Sequence, residues 1–155
     1  MDKLDRQILD LLQRDASLTA ADIAERIGLS KTPCWRRIQQ LKQSGVIRRE
    51  VALLDARALN VGTTVFVTMR TANHSSAWFE KFMKAVRDVP EVVEIYRMSG
   101  EVDYLMRVVV PDIDAYDAVY KRLIASVEFL DVSASFALET IKSTTALPLH
   151  YVRTG

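Results

Sequence analysis

The chain has 155 residues, 49% of them hydrophobic and 26% charged, with a formal net charge of +1. That suits one ordinary globular domain or two small ones, and excludes a disordered or fibrous protein. No apolar run approaches the ~20 residues of a membrane-spanning helix and the opening MDKLDRQ does not read as a signal peptide, so a cytoplasmic location without membrane contact is expected. A single cysteine and two widely separated histidines leave no disulfide framework and no metal spacing, so neither a metal nor a cofactor is expected.

The small net charge hides an uneven distribution. Residues 1–50 hold ten Lys and Arg against seven Asp and Glu, and the remainder hold eleven against thirteen. The basic excess in the first third predicts two modules, with nucleic acid touching only the first.

Taken in order, Leu4, Ile8, Leu11 and Leu12 form one stripe of an amphipathic helix over residues 2–14, capped by Asp2. Thr19 opens a second helix, with Asp22 placed for a capping box, Ile23, Ala24 and Ile27 inward, and Gly28 at the left-handed exit. Ser30 caps a third helix, and Pro33 falls in its first turn, where a missing N–H costs little. Three short helices with a tight turn before the third are a helix-turn-helix arrangement.

The stretch from Ser30 to Arg49 contains six basic residues and no acidic one. Cys34, Ile38 and Leu41 recur at i, i+4 and i+7 and bury one face, leaving Thr32, Arg36, Gln39, Gln40 and Gln43 on the other. Such side chains donate to base edges and phosphates, so this helix is read as a DNA recognition helix. The expected DNA-binding set is Ser30, Lys31, Thr32, Trp35, Arg36, Arg37, Gln39 and Gln40, with Arg37 positioned on phosphate. Arg48 and Arg49 join it from a short strand or wing after Gly45. Cys34 is expected to be a small core residue.

Residues 54–62 form a polar link between a first domain, 1–53, and a second, 63–155. The second reads as strand, helix, strand, strand, helix, strand. Its first helix should turn Trp78, Phe79, Phe82 and Val86 inward, and its second Ile113, Tyr116, Val119, Tyr120 and Leu123. Val132, Ala134, Phe136 and Leu138 alternate along the last strand. This order predicts an α+β chain: a winged helix-turn-helix followed by a ferredoxin-like βαββαβ sandwich. Two helices cover one sheet face, and the other retains apolar side chains, which marks an interaction surface and points to a homodimer. An enzyme would need a nucleophile with its base, a metal cluster or a phosphate loop, and none is present.

Both modules resemble the Lrp/AsnC, or feast/famine, transcription regulators. LDRQILDLLQRDA, LSKTPCWRRIQQLKQSGVI, SGEVDYLMRV and IKSTTALPL carry the likeness together, in order and over nearly the whole chain. The TPCWRR, HSSAW, DYLMRV and IKSTTALP stretches look closest to a subgroup controlling amino-acid catabolism. The resemblance implies a sequence-specific regulator of operator DNA that assembles from dimers to tetramers or octamers and answers to an amino-acid effector. Cysteine, proline and branched-chain amino acids are the candidates. It also implies an effector site between dimers, carried over here to Ser99, Gly100, Asp103, Tyr104, Ser133 and Ser135. Gly100 would admit backbone amides to a carboxylate, and Asp103 would accept from an ammonium group.

Overall fold

A computed structural model describes residues 1–153. The chain forms two compact units, one of residues 1–53 with the segment from Ile141 onward, the other spanning Leu54–Thr140.

In the first unit, α1 (Lys3–Leu12), α2 (Ala20–Ile27) and α3 (Lys31–Gln43) pack around Ile8, Leu9, Ile23, Ala24, Cys34, Ile38 and Leu41. Leu9, absent from the expected stripe, is buried. The helix starts follow their sequences closely. Asp2 and Asp5 form a reciprocal capping box on α1, and Thr19 and Asp22 form one on α2. Ser30 does stand at the N-cap of α3, but its side chain caps nothing. Gly28 at φ 70° turns the chain from α2 into α3, with the Leu29 N–H donating to the Ala24 carbonyl. A side chain there would be held in the left-handed region that favours glycine.

Two expectations are corrected here. Residues 46–53 form no strand. The helical unit offers them no edge to pair with, and they are held by the Ile47 N–H on the Leu41 carbonyl and by a 2.9 Å Lys42–Glu50 ion pair. The tail, assigned with the sandwich, packs on the helices instead. The Gln13 side chain donates to the Leu147 carbonyl and accepts the Leu147 N–H, while Leu149 joins the helical core.

The second unit opens with a turn built on Asp55, whose carboxylate accepts the N–H groups of Arg57 and Ala58. Then come β1 (Thr63–Arg70), α4 (Ser76–Arg87), β2 (Val92–Arg97), β3 (Tyr104–Val110), α5 (Ile113–Ile124) and β4 (Asp131–Phe136). The sheet order is β2-β3-β1-β4, antiparallel throughout, which is the ferredoxin-like arrangement. Val65, Val67 and Met69 of β1 and Tyr104, Met106, Val108 and Val110 of β3 face the helices, where Trp78, Phe82, Val86, Tyr116, Val119 and Leu123 cover them. Two residues assigned inward are not: Phe79 lies at the margin of α4 and Ile113 starts α5 before its buried stripe begins, and both are exposed. Of the set expected to alternate along the last strand, Leu138 falls beyond the end of β4, and Ala134 and Phe136 on it are exposed as well.

Phe82 is fully buried and stacks on Trp78 at 5.2 Å. Phe82→Ala should cost about 3–5 kcal/mol in urea unfolding, and Phe79→Ala far less; equal losses would contradict this packing. Hydrogen bonds from Thr19, its hydroxyl first and its amide second, hold the Asp22 carboxyl below its usual range. A carboxyl whose folded pKa is depressed contributes stability above its unfolded pKa and loses it as pH falls through the folded one. Asp22→Ala should therefore lower the urea midpoint at pH 7, and the gap to wild type should close below about pH 3–4. A gap independent of pH would contradict the charged cap.

Candidate nucleic-acid interface and effector site

α3 is anchored along one side by Cys34, Ile38 and Leu41, all buried. The opposite side presents Lys31, Thr32, Arg36, Gln40 and Gln43 to solvent, with Gln39 half-buried at its edge. Trp35 is 54% exposed and stacks on no other ring among the described residues. Arg48 and Arg49 are exposed on the wing segment beyond the helix.

Arg37 departs from its expected role. Its Nη1 lies 2.7 Å from Asp2 of the α1 cap and 2.7 Å from Asp5 in the first turn, so it ties the two helices together. Two carboxylates on Nη1 offset its charge, which weakens its attraction for a phosphate, although its Nε and Nη2 donors make no hydrogen bond among the described residues. Cys34 has no exposed surface, and burial pushes its thiol up despite the nearby Arg37 guanidinium, consistent with an inert core residue.

The expected effector residues fall into separate places. Ser99 and Gly100 are exposed in the turn after β2, where Gly100 adopts φ 120° with open space around it. Asp103 closes that turn. Its amide donates to Met69, its carbonyl accepts from Met98, and Oδ2 accepts the Thr71 N–H at 2.8 Å. One carboxylate oxygen is thus committed to the fold. Tyr104 is buried on the helix-covered face, in contact with Trp78 and Phe82. Strand alternation with Met106, Val108 and Val110 already put it there.

Ser133 and Ser135 lie on the uncovered face, opposite Thr68 and Phe66. That face also carries Phe66 (41% exposed), Tyr96 (51% exposed), Leu105 and Val109. Arg107 and Glu94 pair across it at 2.6 Å. The Arg107 guanidinium holds the Glu94 carboxyl below its usual range, and acceptance by Glu94 pushes the Tyr96 phenol up.

A family model described as Lrp/AsnC ligand binding domain matches residues 64–147, and one for winged helix-turn-helix DNA-binding matches residues 1–48. The chain belongs to the Lrp/AsnC family. It is 48% identical over 150 residues to the DNA-binding transcriptional activator DecR of Escherichia coli, covering 96% of this chain and 99% of that protein. It is 47% identical over 149 residues to a glutamate uptake regulatory protein of Zymomonas mobilis, covering 96% and 91%. An AsnC family transcriptional regulator from Agrobacterium tumefaciens superposes with a TM-score of 0.95 at 61% identity, covering 99% and 100% of the two chains. A Neisseria meningitidis regulator, solved as an L-Met complex, gives 0.92 at 36% identity and covers 97% of each.

This Lrp/AsnC chain is therefore a DNA-binding transcription regulator, and its family is not one of enzymes. Within it, Arg36 and Arg37 are adjacent but face different partners. Arg36→Ala should weaken operator binding by about 1–3 kcal/mol with the melting temperature unchanged. Arg37→Ala should lower the melting temperature first. Equal loss of DNA affinity in both variants, with neither destabilised, would contradict the assignment.

Proposed function

We propose that this regulator reads a two-fold symmetric operator through paired copies of α3, and that an amino acid adjusts its binding by changing how the copies assemble. The observation that carries the reading is the acid-free polar face of α3 in a chain whose second unit is a ligand-binding domain. Thr32, Arg36, Gln39 and Gln40 contact base edges, while Lys31, Arg48, Arg49 and Trp35 contact the sugar-phosphate backbone and Ser30 sets the helix entry. A dimer supplies two recognition helices for half-sites about one helical turn apart.

The uncovered sheet face is the assembly surface. Phe66 and Tyr96 are exposed on it and Leu105 and Val109 partly so, and a second copy seated there removes these apolar groups from water. Further pairing into tetramers or octamers multiplies a modest basic footprint. With their differing helix spacings, these assemblies are the states that an effector biases.

The effector reading rests on Ser99, Gly100, Asp103, Ser133 and Ser135. Ser99 and Gly100 follow β2, while the serines lie on β4 at the other edge of the sheet. Three strand spacings separate the edges, about 14 Å. One amino acid spans that gap only if different copies supply the two groups, so binding and assembly are linked. The open oxygen of Asp103 faces the ammonium group, the Gly100 backbone the carboxylate, and the serine hydroxyls the remaining polar atoms. The L-Met complex of the Neisseria relative favours a sulfur-containing amino acid among the candidates.

A thermal-shift screen of the full chain against the twenty amino acids tests this. One or a few should raise the melting temperature, by an amount equivalent to about 2.7 kcal/mol at a hundredfold excess over Kd. Ser133→Ala with Ser135→Ala should reduce that response and leave operator binding intact. A chain stabilised by no amino acid would contradict the effector reading.

A further inference from the structure

We propose that a cavity at the start of α4 is a binding site for a small 2-oxo carboxylate, distinct from the assembly face and selective against the corresponding amino acid. It rests on the reading of this unit as a ligand-binding domain, and adds both a site and a ligand class.

The cavity holds about 210 Å³. Tyr104, Trp78 and Phe79 form its walls, Arg97 and His74 its mouth, and Ser75 and Ser76 the helix start. Arg97 and Tyr104 are direct cross-strand partners, so both side chains rise from the same sheet face beneath the helix. Tyr104 is only 5% exposed, yet its hydroxyl has no hydrogen-bond partner among the described residues. The hydroxyl opens to the cavity and is not sealed in the core, so it is free to bond to whatever occupies that space.

Two further features favour an anion. Arg97, exposed at the mouth, forms no ion pair among the described residues, whereas Arg107 on the next strand is neutralised by Glu94. α4 is a full 12-residue helix whose first N–H, that of Ser76, has no intrahelical acceptor; the Ser75 hydroxyl is already occupied by the Trp78 N–H. A carboxylate at this point meets a guanidinium and a helix N-terminus together. The Tyr104 hydroxyl and the Ser76 hydroxyl are left to donate to a neighbouring carbonyl oxygen.

Selectivity follows from what lines the walls. None of the lining residues is acidic. The ammonium group of an amino acid would leave water with no counter-charge and sit beside Arg97, which is costly. A 2-oxo acid carries the same carboxylate and side chain with a carbonyl in place of that ammonium. At roughly 30 Å³ per water, the cavity equals about seven waters, which suits a side chain of a few carbons between the Trp78 and Phe79 rings.

Isothermal titration of the full chain with 2-oxobutanoate and with L-2-aminobutanoate, which share a carbon skeleton, tests the site. 2-Oxobutanoate should bind at least about tenfold tighter than the amino acid. Arg97→Gln should weaken it by about tenfold or more while operator binding persists. Tyr104→Phe, which keeps the ring and a cooperative melt, should weaken it a few-fold. No binding of 2-oxobutanoate, tighter binding of L-2-aminobutanoate, or binding indifferent to Arg97→Gln would each overturn the proposal. A chain stabilised by an amino acid that binds no oxo acid loses this site and keeps the effector reading. A chain that binds the oxo acid through Arg97 and responds to no amino acid does the reverse.

Discussion

The first unit depends on how α3 is held. Cys34, Ile38 and Leu41 sink one side of the helix into the core, and Arg37 is pinned by Asp2 and Asp5 of α1 at 2.7 Å each. With these contacts fixing the helix about its own axis, its other side is obliged to face solvent. That side carries Thr32, Arg36, Gln40 and Gln43 and no acidic residue, so nothing on it would repel phosphate. Arg37, paired with both aspartates, ties α3 to the start of α1.

In the second unit the governing constraint is a sheet with two faces and helices enough for one. Trp78, Phe82, Tyr116 and Leu123 seal one side, and the other keeps Phe66 and Tyr96 in water. The same half-covered architecture separates two kinds of site. The uncovered face and the turn after β2 are open to solvent, whereas the space between α4 and the β2–β3 pair is lined by residues of a single chain.

Much of this was legible in the sequence because it is local. Capping residues, the Gly28 exit and the alternation of β3 are written within a few positions of where they act. What escaped was what depends on distance. Leu9 is buried only because α2 and α3 converge on two sides of α1, which a single stripe does not convey. Residues 46–53 have strand-forming composition but no edge to join. The tail returns to α1 through Gln13 and Leu147, 134 positions apart, and no periodicity announces such a contact. In the effector set, residue types carried over from relatives could not reveal that one oxygen of Asp103 is already committed to the Thr71 amide. The exposed Phe79 and Ile113 show the ordinary failure of periodicity at a helix margin and a helix start.

The central claim is that α3 reads bases and does not merely touch phosphate. Base preference at every operator position, measured for wild type and for Gln40→Ala by selection from a randomised duplex pool, tests it most directly. Gln40 is exposed and uncharged, so its loss neutralises no fewer phosphates and releases no fewer counterions. The account predicts relaxed preference at one symmetric pair of positions, with the salt dependence of binding unchanged. An unaltered preference profile, or a uniform loss across all sequences, would contradict it.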